Sequence, residues 1–288
     1  MIELTLHCPI CNGRAYNFFD HNDSFHDKVT IFKCINCGHG FYNKNYKSKQ
    51  LNDIYQESYA ENYLNKQLIT NKLRHEQYLL DVDLLLAASK LSENSRIKVL
   101  DYGCSSGGYL DTMPAKWDKV GYEINPFHIN YLNTKKKYIR VFNSLDLIDE
   151  SFDLITMRGV IEHIPTHKIV IDFLNKHLKL GGGLFISATP DFSSTCASLY
   201  KEEWNQICCP THIHQFSVAS LSTLLLNAGL ALRSLSHPYE DTPYANWPQD
   251  GQDFIDNFYN SDKYNISSLA KKHPFPGNMM SALYTKIG

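Results

Sequence analysis

Val99-Leu100-Asp101-Tyr102-Gly103-Cys104-Ser105-Ser106-Gly107-Gly108 is an apolar run that stops at an aspartate and breaks into glycines. The spacing predicts a short strand over 96–102 that turns sharply into a helix. Glycine lets the backbone turn and approach a ligand closely. In an open α/β sheet that turn lies at the carboxyl edge, where ligands bind. Glu123 closes the next apolar run twenty positions after Gly103, the separation at which a carboxylate meets ribose hydroxyls. Ser105 stands where a dinucleotide fingerprint needs its second glycine, and no Gly-x-x-x-x-Gly-Lys phosphate loop occurs. The loop therefore suits an adenosyl group that lacks a pyrophosphate.

Working outward, strands and helices alternate. Further strands are predicted at 117–124, 138–142 and 152–157, followed by a helix over 165–180. Gly181-Gly182-Gly183 is expected to end that helix, with a fifth strand at 184–188. Ser217 is a plausible N-cap for a helix to Ala228, with Gly229 as its C-cap. Two more strands follow at 230–235 and 280–287. Upstream, Leu68, Leu73, Leu79, Leu80, Leu84, Leu86 and Leu91 recur at helical spacing. The alternation predicts an α/β fold, a mainly parallel seven-stranded sheet with helices on both faces. The stretch 238–277, rich in aromatics and proline, breaks the alternation and reads as an insertion.

Cys8-x-x-Cys11 and Cys34-x-x-Cys37 place four of the eight cysteines in the first 37 residues. Paired knuckles of this kind suit a tetrahedral zinc ion bound by four thiolates. So small a module cannot bury a core of its own, so the metal would supply its folding energy. A closed site of four sulfurs leaves no open position, which makes the zinc structural. Cys104, Cys196, Cys208 and Cys209 form no such set.

Asp101-x-Gly103-x-x-x-Gly107 with Glu123 resembles the first motifs of class I S-adenosylmethionine-dependent methyltransferases. Phe152-Asp153-Leu154-Ile155, then Val160-Ile161-Glu162-His163-Ile164-Pro165, resembles their fourth-strand motif, and 178–183 their usual helix end. The ribbon, Tyr55 and Tyr59, the segment Thr211-His212-Ile213-His214-Gln215-Phe216-Ser217 and Gly277-Asn278-Met279-Met280 are together similar to bacterial methyltransferases that tailor sugars and surface glycans. The resemblance implies a Rossmann-like sheet. Asp101, Gly103, Cys104 and Gly107 would then shape the methionine and ribose pocket, and Glu123 would hold the ribose. Asn143, Ser144 and Leu145 would lie near the adenine, and Met157 and Arg158 would line the remaining wall.

Methyl transfer to a hydroxyl needs alignment and a proton acceptor. Among 13 histidines, His212, His163 and His214 are the candidates, with His212 first. Glu162-His163 matches half of the Glu-x-x-Glu-His of metal-assisted quinone-ring methyltransferases, but Gly159 replaces the first glutamate, which argues against a catalytic divalent ion. Trp204, Tyr239, Tyr244 and Trp247 could stack on a sugar or simply pack.

The net charge of −2 shows no basic footprint for nucleic acid. No leader pattern or apolar run of membrane length is present, so a cytoplasmic protein is expected. The division expected is a ribbon over 1–50, a helical linker or lid over 51–95 and the methyltransferase domain over 96–288. A small polar acceptor, such as a sugar or glycan intermediate, is expected. The alternatives are an RNA or protein acceptor gripped by the ribbon, or a module that binds the cofactor without turnover.

Overall fold

A computed structural model describes residues 4–23, 26–42, 71–204, 206–207, 211–259 and 276–288. The first cysteine pair lies between β1 (Leu4–His7) and β2 (Arg14–Asp23). The second begins at the end of β3 (His26–Cys34) and precedes β4 (Gly40–Tyr42). These strands pair antiparallel in chain order. A fifth strand, β10 (His214–Gln215), comes from far along the chain and pairs with β4, His214 opposite Phe41 and Gln215 opposite Gly40. Cys8, Cys34, Cys37 and Phe41 share one buried cluster with Phe216 and Leu221. The ribbon is therefore built onto the rest of the molecule. The expected boundary near residue 50 lies outside the described residues, as do Tyr55 and Tyr59.

The large sheet holds β5 (Lys98–Tyr102), β6 (Asp118–Tyr122), β7 (Arg140–Phe142), β8 (Phe152–Arg158), β9 (Leu178–Pro190), β11 (Leu230–Ser236) and β12 (Met279–Lys286). Its order is β11-β12-β9-β8-β5-β6-β7. The run β9-β8-β5-β6-β7 is parallel, and β12 is antiparallel to both neighbours. Neighbouring residues of β5 show why helices cover both faces. Val99 packs with Leu85, Leu110, Trp117 and Phe185, whereas Leu100 packs with Val120, Ile155, Leu174 and Ile186. A strand buried on both sides carries apolar residues at consecutive positions, as Val99-Leu100 do in β5.

The helices are α1 (Asn71–Ala88), α2 (Gly108–Thr112), α3 (Pro126–Lys135), α4 (His167–His177), α5 (Thr195–Tyr200), α6 (Val218–Leu226) and α7 (Gln249–Tyr259). Asn125 caps α3 by accepting from the amides of Phe127 and His128, with Pro126 in the first turn. Ser217 and Ser220 cap α6 reciprocally, as the sequence predicted for Ser217.

The glycine run corrects the expected end of the fourth helix. α4 stops at His177, and β9 already begins at Leu178 and runs through Gly181-Gly182-Gly183. The pairing with β8 shifts register between Phe152 and Leu154. A Cβ on Gly182 would stand 2.8 Å from the Lys179 carbonyl oxygen and 3.0 Å from that of Asp153. The glycines let a bulge close against two backbone carbonyls.

The described part of the insertion forms α7 and the loop before it. Tyr239 Oη donates to Asp250 Oδ2 at 2.7 Å, and the Asn246 amide donates to the same oxygen at 3.1 Å. Among the described residues no helix is long and apolar enough to cross a membrane.

Candidate cofactor and acceptor site

The glycine loop joins β5 to α2 at the carboxyl edge of the sheet. Its first turn is fixed by amide donation from Gly103 and Cys104 to the Tyr122 carbonyl, at 2.8 and 3.0 Å. Gly103 has φ of 80°, and a Cβ there would stand 2.8 Å from Val160 Cγ2. Only glycine suits both the backbone and the space. The same contact sets the loop directly against the turn that follows β8.

Glu123, at the end of β6, is buried. Its Oε2 accepts from the Ser105 amide, and its Oε1 from the amides of Ile124 and Asn125, each at 2.8 Å. Three backbone donors thus aim one carboxylate at the loop. Asp101 is also buried, and its Oδ1 accepts from Thr156 Oγ1 at 2.7 Å. Burial raises its pKa to about 7, against the opposing pull of Thr156 and Arg158. A cationic ligand nearby would favour its charged form. The Cys104 thiol is pushed up by burial and by Asp101 and Glu123. Its sulfur would lie 2.5 Å from a Cβ on Gly121, so it fills the space beneath the loop. Asn143 is exposed at the end of β7, and Ser144 caps a 3-10 turn over Leu145–Leu147. Ile124, 57% exposed, presents an apolar side chain beside Glu123, and no sequence motif marks it.

Met157 is fully buried in the sheet, and Arg158 is turned toward α1. Arg158 Nε donates to Asp81 Oδ2 at 2.7 Å, and the guanidinium lies 4.7 Å from the Tyr78 ring centroid. Asp81 and Tyr78 lie on α1, where no sequence motif marks them as partners of Arg158.

The candidate histidines fall into two groups. His163 ends the 3-10 turn Ile161–His163 after β8, and its ring lies 4.6 Å from that of His212. Glu162, His163 and His212 each bring a ligand atom within 4.8 Å of the others. Glu162 is 2% exposed, and burial raises its pKa despite His212, Thr189 and Arg158. Burial, with His212 adding to it, lowers that of His163 to about 3. His214 stands apart in β10, with His39 Nε2 and His214 Nδ1 3.0 Å apart and the His167 ring 4.0 Å away. His39 and His167 had no sequence signal. Of the four aromatics, Trp204 and Tyr239 are buried, whereas Tyr244 and Trp247 are 42% and 60% exposed.

In the ribbon, Cys8 Sγ lies 3.6 Å from Cys37 Sγ and Cys11 Sγ 3.5 Å from Cys34 Sγ. All four sulfurs lie within 4.8 Å of one another. The amides of Ile10 and Asn36 donate to Cys8 and Cys34 Sγ at 3.4 Å. Sulfurs clustered this closely, with N–H donors turned toward them, fit a tetrahedral thiophilic ion. Cys208 and Cys209 lie outside the described residues. A separate surface cleft, lined by Lys98, Lys116, Asp118, Asp153 and Lys179, opens at the amino ends of the strands, away from the glycine loop.

A seven-stranded sheet in which only β12 runs against the others, with a glycine loop and an acidic strand end at its carboxyl edge, defines the class of the chain. Residues 72–235, more than half of it, match the methyltransferase domain family, and the protein belongs to that family. It is an enzyme that uses S-adenosylmethionine. No curated protein matches the chain. Among solved structures, the plantazolicin methyltransferase BpumL in complex with SAH is 12% identical, with a TM-score of 0.53 over 83% of this chain and 98% of that one. A SAM-dependent methyltransferase from Thermotoga maritima is 17% identical, with a TM-score of 0.51 over 78% of this chain and 95% of that one. At such identities the likeness is one of fold.

Proposed function

We propose that the enzyme methylates a hydroxyl of a small polar acceptor, a sugar or glycan intermediate. The carrying observation is the Glu162, His163 and His212 cluster beside the glycine loop. An acceptor hydroxyl must lose a proton as it attacks, and these side chains are proton-handling groups at that edge. Exposed Tyr244 and Trp247 suit stacking on a sugar face. The net charge of −2 offers no general attraction for a nucleic-acid backbone.

In this reading the pocket of Asp101, Gly103, Cys104 and Gly107 takes the methionine and ribose portions of the cofactor. Glu123 accepts from ribose hydroxyls, and Ile124 with Asn143, Ser144 and Leu145 borders the adenine. Met157 and Arg158 back the pocket from β8. His212 is the first candidate base, His163 its neighbour, and His214 serves in the ribbon contact. Cys8, Cys11, Cys34 and Cys37 hold one structural zinc. Four reduced thiolates suit the cytoplasm.

Methyl transfer is an in-line displacement. The acceptor oxygen forms a bond to the methyl carbon as the carbon–sulfur bond breaks, and its electron pair stays on sulfur. The protein's part is alignment of oxygen, carbon and sulfur and removal of the acceptor proton.

The test is a methyl-transfer screen with labelled cofactor. It compares sugar nucleotides and extracted glycans with total RNA and protein from the same cell. Label in the sugar fraction is expected. Label confined to RNA, with salt-sensitive binding, would replace this reading with an RNA methyltransferase gripped through its ribbon.

A further inference from the structure

We propose that Glu162, His163 and His212 form a second metal site, for one divalent transition cation bound by two imidazoles and a carboxylate. The three side chains come from two separated segments, the turn after β8 and the loop before β10. Their ligand atoms lie within 4.8 Å of one another. A central ion at about 2.0–2.2 Å from each nitrogen or oxygen would draw the three atoms closer together.

The second shell is already in place. His163 Nδ1 lies 2.8 Å from the Thr211 carbonyl oxygen, and His212 Nδ1 lies 2.7 Å from that of Gln206. A carbonyl only accepts, so each Nδ1 carries the proton and each Nε2 holds the lone pair. Fixing the tautomer by a backbone carbonyl is how proteins orient metal-binding histidines. Thr189 Oγ1 donates to Glu162 Oε2 at 3.2 Å, orienting the carboxylate in the same way.

Electrostatics favour an occupant. Glu162 is almost wholly buried, and a buried carboxylate needs a compensating charge. The nearby guanidinium of Arg158 is committed to Asp81. A divalent ion would add a compensating charge directly at that carboxylate. Two nitrogens and one oxygen suit zinc, iron, cobalt or manganese better than magnesium or calcium, which prefer all-oxygen shells.

The site differs in kind from the four-sulfur cluster. Three protein ligands leave positions open, so an acceptor oxygen can complete the shell. Val160 packs on Gly103, which puts the turn carrying Glu162 and His163 against the glycine loop. This role rests on the methyl-transfer reading above. With a cation bound, both histidines would be ligands, and the cation would lower the pKa of the acceptor hydroxyl in place of proton abstraction by His212. Its proton would then pass to solvent water, leaving the oxygen to take the methyl group as described.

The experiment uses the full chain, stripped with chelator under reducing conditions and titrated with cobalt(II). Cobalt bound by thiolate gives a near-ultraviolet charge-transfer band, whereas cobalt bound by nitrogen and oxygen gives only visible ligand-field absorption. The wild type should take up two equivalents, one of each spectral kind. Glu162→Gln and His212→Ala should each lose the thiolate-free equivalent and keep the charge-transfer band, which also reports that the ribbon is folded. Absence of a thiolate-free equivalent in the wild type overturns the proposal, and so does a His212→Ala protein that binds as much cobalt as the wild type. Loss of the band in one variant leaves the wild-type count and the isosteric Glu162→Gln variant to decide. These readouts need no acceptor, so a wrong acceptor class and an absent metal site give different results.

Discussion

Arg158 at the end of β8 and Asp81 in α1 form an ion pair of 2.7 Å whose aspartate side chain is 2% exposed. Gln77 Nε2 donates to the other oxygen at 3.3 Å, and Ser187 Oγ donates to Oδ2 at 3.4 Å. Burial works against the guanidinium's charge, but Asp81, Tyr78 and Tyr109 together outweigh it and hold the pKa above its ordinary value. The pair fastens α1 across β8 and β9, beside the proposed cofactor wall. Asp81→Asn leaves a buried cation without its counter-charge and should destabilise the protein by about 3–5 kcal/mol in urea unfolding. An Asp81→Leu, Arg158→Met double variant should lose less than the sum of its single changes. Additive losses would mean the two residues act independently.

Glu123→Gln keeps the shape of the side chain and removes its charge. The backbone amides of Ser105, Ile124 and Asn125 now converge on that carboxylate. Calorimetry with the demethylated cofactor should show affinity weakened by about 1.5–3 kcal/mol, roughly tenfold to a hundredfold. Unchanged affinity removes Glu123 from the ribose.

Cys34→Ser should empty the four-sulfur site, leaving about one zinc fewer per chain by elemental analysis. Cys34 belongs to the same buried cluster as Phe216, Leu221 and Tyr284. Its replacement should therefore lower the Tm of the principal unfolding transition in calorimetry. A ribbon transition that shifts alone, with the main transition unmoved, would show the two parts to be energetically separate.

His167 supplies a pH dependence. Burial, and then His214, lower its pKa to about 2, against about 6.5 in an unfolded chain. Its neighbours are His214, His39 and Phe216, with ring centroids 4.0, 6.3 and 5.2 Å away. Below about pH 6.5 the unfolded chain binds a proton that the folded one refuses. The stability contributed by the neutral ring is thus present above that pH and is lost as pH falls toward 2. His167→Phe should spare about 2 kcal/mol of the loss between pH 7 and pH 5, measured by urea unfolding at both. A variant with the wild-type slope would place the protonation elsewhere.

What the sequence made legible was local. The glycine loop, Glu123 and the two cysteine knuckles are each spelled within a few residues or at a characteristic spacing, and the alternation of strands and helices needs only neighbouring apolar positions. The limits of β9 were missed because glycines that permit a bulge look the same, on paper, as glycines that stop a helix. The partnership of Asp81 with Arg158 spans 77 residues, and no pattern in either segment announces it. Glu162 and His163 could be singled out, but their meeting with His212 depends on how the loop before β10 is folded back. His39, an ordinary residue after a cysteine knuckle, gains its place only when β4 finds β10.

That last pairing makes the N-terminal module a poor candidate for deletion. β10 has β4 as its partner in the ribbon sheet, and Ser217, which starts α6, donates from Oγ to the Cys37 carbonyl at 2.8 Å. His212 sits two residues before β10. Trimming the first 42 residues would uncover Phe216 and cut the stay that holds this loop taut. The damage would surface at the acceptor edge rather than at the chain's beginning, so a shortened protein could retain its cofactor and yet fail to turn over.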